Sequence, residues 1–114
     1  MDIPDVEIEE LKQCYEGVRR LEEGGLIYFY IPALILPEGC DPKVVDAMLC
    51  PVPRDGYPSR LFLSPMVKTT FPRNWNANGV RIMERQWHAL SYNNIKGTLL
   101  QMLAGHLRGL KENK

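Results

Sequence analysis

His88 and Ser91 sit three residues apart in "WHALS". An imidazole beside a hydroxyl can draw off its proton, so Ser91 could carry an acyl group as an oxyester with His88 as general base. Such chemistry needs a donor for the developing oxyanion, and Asn74, Asn76, Asn93 and Asn94 are the nearby amides. The competing reading makes Ser91 a cap leading into the last helix and lays His88 over a sheet. A thioester would instead need an exposed thiolate. Cys40 falls in a turn, Cys50 ends a strand before Pro51, and Cys14 lies on the apolar side of a helix. Cys40 and Cys50 are the alternative nucleophiles, set against the reading that all three cysteines are small packing residues. Ser59 in "YPSR" reads as a turn former and His106 as a core histidine on an apolar helix stripe.

Tyr57, Trp75 and Trp87 are the candidate partner-binding residues, because aromatic side chains dominate interface hot spots. Each also has a structural reading. Tyr57 and Pro58 lock the turn before a strand, and a loop tryptophan can pin its loop to the core. The three cysteines form no CxxC and lie far from both histidines, so no metal site is expected, and no cofactor. Lys plus Arg number 14 and Asp plus Glu 14, a net charge of zero that argues against a nucleic-acid partner. The acidic start "MDIPDVEIEE" has no apolar signal region, and the odd cysteine count fits a reducing cytoplasm. The longest apolar run, "GLIYFYIPALILP", contains Pro32 and is too short to cross a bilayer as a helix, so no membrane partner is expected.

These groups must be held by a framework of 114 residues, the length of one domain. Val6, Leu11, Tyr15, Val18 and Leu21 recur at helical spacing, which predicts a helix over residues 5–22 closed by Gly24 and Gly25. Residues 26–36 read as a long strand, with Pro32 marking a bulge, an edge or a break. Strands are predicted over 43–51 and 60–64, each after a turn. Short connections favour an antiparallel meander over parallel crossovers. Residues 65–94 show no sustained period and read as a long ordered loop with one short strand at 80–83. Ile95, Leu99, Met102, Leu103, His106 and Leu110 form a stripe that predicts a helix over 94–111, capped by Asn93 or Asn94. The expected class is α+β: an antiparallel meander with N-terminal and C-terminal helices able to cover one sheet face.

This order, with Leu36-Pro37-Glu38-Gly39-Cys40-Asp41-Pro42, Gly56-Tyr57-Pro58 and Trp87-His88-Ala89-Leu90-Ser91, resembles the ubiquitin-conjugating enzyme fold. It is most similar to a bacterial branch, the prokaryotic E-type ubiquitin-conjugating-like family, over residues 25–107. The resemblance implies a ubiquitin-like protein and an adenylating (activating) enzyme as partners. It also makes Asn76 the counterpart of the asparagine in the family's "HPN" turn. The chain departs from the family downstream of that turn. Where the familiar enzymes carry their cysteine, it has Ile82, Met83, Glu84 and Arg85. Two expectations follow. Either the protein accepts or positions the C-terminus of a ubiquitin-like protein in a bacterial conjugation system, with Ser91 and His88 as acyl carrier and base, or it is a non-catalytic adaptor of the same fold. A structural or chaperone-like α+β domain is the third possibility.

Overall fold

The computed structural model describes residues 3–54, 58–69, 75–90 and 97–111, with the backbone alone described at residues 76–78, 90 and 111. Among the described residues the chain is α+β, with a curled antiparallel main sheet, a small two-stranded sheet and two helices. Helix α1 is Asp5–Cys14, helix α2 is Leu99–Lys111, and eight strands lie between them among the described residues. Six form the main sheet in the order β1 (Arg19–Glu23), β2 (Leu26–Ile35), β4 (Val44–Cys50), β5 (Arg60–Ser64), β8 (Arg85–Leu90), β7 (Trp75–Ile82). The short β3 (Cys40–Asp41) and β6 (Lys68–Thr69) pair separately. No helix among the described residues is long and apolar enough to cross a membrane.

The expected helix over 5–22 is corrected: it stops at Cys14, and residues 19–23 form β1. Tyr15 leaves α1 in extended conformation. Gly17 then takes φ +81, where a Cβ would meet Pro32 Cγ at 2.9 Å, so only glycine fits. Arg19 to Glu23 are good helix formers. They pair with Leu26 to Tyr30 through a two-residue turn at Gly24 and Gly25, both with positive φ. Gly24-Gly25 therefore closes a hairpin of type I′ geometry rather than a helix.

Pro32 sits in a bulge. The β2–β4 register shifts between Ile31 and Leu34, and Ala33 turns to φ +53. The Ala33 N–H, out of the ladder, donates to Asp46 Oδ1 at 3.0 Å. Strands β4 and β5 run close to their expected bounds.

The expected loop over 65–94 is also corrected. Residues 75–90 form the β7–β8 hairpin, with β8 joined to β5 through Phe62↔Ala89 and Leu63↔His88. Two register shifts, between Trp75 and Ala77 and between Asn78 and Val80, leave Asn76 and Gly79 as extra residues. They break the alternation by which a strand is recognised.

Helix α2 begins with a capping box. Gln101 N–H donates to Thr98 Oγ1 at 3.3 Å, and Thr98 N–H to Gln101 Oε1 at 2.9 Å. Thr98 thus takes the capping role expected of Asn93 or Asn94, which lie outside the described residues. The Leu99 N–H donates to Glu7 Oε1 at 3.1 Å, so a carboxylate of α1 sits at the positive end of α2.

Alternate residues of the strands feed two cores. Leu11, Leu99, Leu103 and Leu110 pack from the helices onto Phe29, Ala47, Leu49 and Leu61. The other sheet face carries Tyr28, Met48, Phe62, Ile82 and Trp87. Curling buries this second face. Tyr30 on β2 and Trp87 on β8 are three strand positions apart, about 14 Å in a flat sheet. Their ring centroids are 6.4 Å apart, edge to face.

Candidate functional site

The β7–β8 hairpin carries most of the residues singled out by the sequence. Trp87 is 1% exposed, and its Nε1–H donates to Ile82 O at 3.1 Å. It is a pin, not an open docking anchor. Trp75 is half-buried and packs against the helix-side core. Asn76 occupies the first bulge. His88 is half-buried, and desolvation holds its pKa below the usual histidine value. Its Nδ1 accepts the N–H of Gly79, the second bulge residue, at 3.1 Å. In a neutral ring this leaves the proton on Nε2. The imidazole therefore serves the bulge, and its one lone pair is used there. Ser91, Tyr57, Asn74, Asn93 and Asn94 lie outside the described residues.

The thiols are dispersed. Cys50 is 0% exposed and its Sγ lies 3.5 Å from Val52 O, so it is a packing residue and no accessible nucleophile. Cys40 lies half-buried on β3, in the separate two-stranded sheet. Cys14 is exposed at the end of α1. It lines a hollow of about 650 Å³ with Tyr15, Gly17, Pro32 and Ile35, away from the β7–β8 hairpin. Among the described residues, no group of three or more histidine, cysteine or acidic side chains could hold a metal ion.

Two polar constellations emerge that spacing in the sequence did not reveal. The first joins the residue just before β5 to α2. Ser59 Oγ lies 2.9 Å from His106 Nε2, and the two residues are 1% and 6% exposed. Burial, with a smaller contribution from the Arg60 guanidinium, pushes His106 down to about 4. The distance is that of a nucleophile and its base, but both groups are enclosed. The pair is a polar tie between α2 and the sheet.

The second lies on the opposite face. Arg85 Nη1 is 2.9 Å from Asp46 Oδ2, and its Nε donates to Ser64 Oγ at 3.2 Å. The guanidinium lies 4.9 Å from the Trp87 ring centroid. Burial works to raise the Asp46 pKa. The Ala33 N–H, Arg85 and Tyr30 outweigh it and hold the carboxyl below its ordinary value. Asp46 and Ser64 are direct cross-strand partners, so register brings them together.

Comparison with known proteins gives no match. No protein-family model, no curated protein and no solved structure matches the chain. The functional reading therefore rests on the residues and their placement.

The turn of the hairpin has its own chemistry. Ile82 is buried, and Met83 and Glu84 form a two-residue turn with φ +51 and +61. This type I′ geometry favours Asn-Gly and strains ordinary L-residues by about 1–2 kcal/mol each. The Met83 N–H is held by Glu23 Oε2 at 2.6 Å, so this tip clasps the tip of the β1–β2 hairpin. Replacing Met83-Glu84 by Asn-Gly keeps that backbone donor. It is expected to raise stability by about 1 kcal/mol, read as a higher urea midpoint at unchanged slope.

Proposed function

We propose that the chain is a ubiquitin-conjugating-like domain of a bacterial ubiquitin-like protein conjugation system. In it, the domain positions the C-terminus of a ubiquitin-like protein, supplied by an adenylating enzyme, without forming a thioester itself. The order of elements supports the fold: an N-terminal helix, the antiparallel run β1, β2, β4, β5, a hairpin, then a closing helix. One observation carries the preference for positioning over carrying. Downstream of Asn76, the stretch where the resembled enzymes hold their cysteine is the hairpin tip. There Ile82 is buried, Met83 and Glu84 turn, and Arg85 is bound to Asp46. The engagement of His88 Nδ1 by Gly79 argues the same way against base catalysis toward Ser91.

The test mixes the protein with the adenylating enzyme, ATP and the ubiquitin-like protein, and follows intact mass and co-elution. A stable complex with no covalent adduct is expected. A thiol-sensitive adduct would overturn the positioning role in favour of Cys14 or Cys40. A base-labile, thiol-resistant adduct lost in Ser91→Ala would establish the oxyester instead. Neither adduct nor complex would remove the conjugation reading altogether.

A further inference from the structure

β1 is a border strand of the main sheet, and among the described residues it pairs with β2 alone. Its hairpin fixes which of its backbone groups are used. Glu23 and Leu26 flank the two-residue turn, so they exchange both of their backbone hydrogen bonds. The alternation of an antiparallel ladder gives Leu21 and Arg19 the same inward role. The N–H and C=O groups of Arg20 and Glu22 therefore point away from β2, along the open border. The side chains of β1 are exposed except that of Leu21, which is half-buried against the second core.

The strand reads "RRLEE", and its charges invert about Leu21. Such a strand is complementary to itself when it runs antiparallel, and in one register only. With Arg20 and Glu22 supplying the outward groups, a two-fold axis can pass residue 20, 21 or 22. Axes at 20 and at 22 set Arg20 on Arg20 or Glu22 on Glu22, and like charges directly opposite are destabilising. The axis at Leu21 sets Arg20 against Glu22 on one face and Arg19 against Glu23 on the other. An in-register parallel pair would set arginine beside arginine and glutamate beside glutamate.

The contacts β1 already makes leave this pairing open. Arg20 and Glu22 of one chain form an exposed ion pair at 3.3 Å, worth little in water, and exchange it for the same pair across the axis. The Met83 N–H holds Glu23 through Oε2 of its side chain, not through the backbone of β1.

We propose that two copies of the chain associate through β1, antiparallel about a two-fold axis at Leu21, so that the main sheet runs through the pair. Arg20 and Glu22 of one copy exchange backbone hydrogen bonds with Glu22 and Arg20 of the other. The two Leu21 residues meet at the axis, with Cα atoms about 4.5 Å apart. The contact is isologous and closed. Its outer borders are both β7, whose bulges stop a third molecule. A strand of 5 residues from each copy makes a small interface, so a Kd on the order of 0.1 mM is expected.

Sedimentation equilibrium of the full chain, from about 10 µM to about 1 mM, should show a reversible monomer–dimer equilibrium. Over that range, nuclear magnetic resonance should show the amides of Arg20 and Glu22 increasingly protected from exchange. The amide of Leu21, already bonded to β2, should not change. Charge variants test the register. Arg20→Glu alone and Glu22→Arg alone each set like charges opposite at both contacts and should weaken self-association about tenfold or more. Both side chains are exposed, so each variant keeps the fold. Mixed in equal amounts, the two variants regain opposite charges at both contacts and should associate as the parent does. A chain that stays monomeric to about 1 mM, a dimer indifferent to either substitution, or a mixture that fails to recover would overturn the inference.

Discussion

Trp87→Ala is expected to lower the unfolding free energy by about 3–5 kcal/mol, the usual range for deleting a buried aromatic side chain. The indole is 1% exposed and sits among Tyr28, Met48, Phe62 and Ile82 on the second sheet face. It also meets Tyr30 edge to face across two intervening strands and carries the Arg85 guanidinium. Removing it takes away the surface against which the curled sheet closes. A small domain holds only about 5–15 kcal/mol in all, so the loss is a large share of the total. Urea unfolding followed by circular dichroism measures it. Trp87→Phe separates ring from donor. Most of the packing stays, but the Ile82 carbonyl loses the indole N–H at 3.1 Å, for a smaller loss of about 1–2 kcal/mol. Trp75→Ala, at a half-buried position, should cost less than Trp87→Ala. A loss below about 1 kcal/mol for Trp87→Ala would contradict the pinning role.

The second large effect is acid lability from one buried imidazole. His106 titrates at about 4 in the folded protein, against 6.5 for an ordinary histidine. Between those values the unfolded chain binds a proton that the folded chain excludes, so stability falls as pH falls through this window. Its contribution is complete above pH 6.5, declines from there, and levels off below about pH 4, for a total near 3 kcal/mol. His106→Leu removes the titration. Its stability profile should run flatter than the parent's across that window, although the variant leaves Ser59 Oγ without the ring nitrogen 2.9 Å away. Parallel profiles for parent and variant would contradict the assignment.

The residues differ in how openly they declared their structure. β2, β4 and β5 are runs of aromatic, β-branched and other apolar residues between turn residues, and they were legible. β1 was not. Arg19, Arg20, Glu22 and Glu23 are helix formers, and Leu21 continues the helical spacing of Leu11 and Tyr15, while the deciding signal was the single Gly17. The β7–β8 hairpin hid for two reasons. Its turn is Met83-Glu84 rather than Asn-Gly, and its two bulges disrupt the alternation. Thr98 and Gln101 spelled out a capping box that the asparagines upstream overshadowed. The polar groups illustrate a separate limit. Asp46, Ser64 and Arg85 meet through strand register and curl, and Ser59 meets His106 through the docking of α2. Neither meeting has a sequence spacing that announces it.

The two bulges in β7 bear on how the molecule treats its neighbours. β7 is the last strand of the main sheet, and its row of backbone groups is interrupted at Asn76 and again at Gly79. The opposite border, β1, is lined by Arg19, Arg20, Glu22 and Glu23. A stray extended chain arriving at either border meets a broken template or a charged one. Growth of the sheet past a closed pair of molecules, the first step toward fibres, is opposed on both sides.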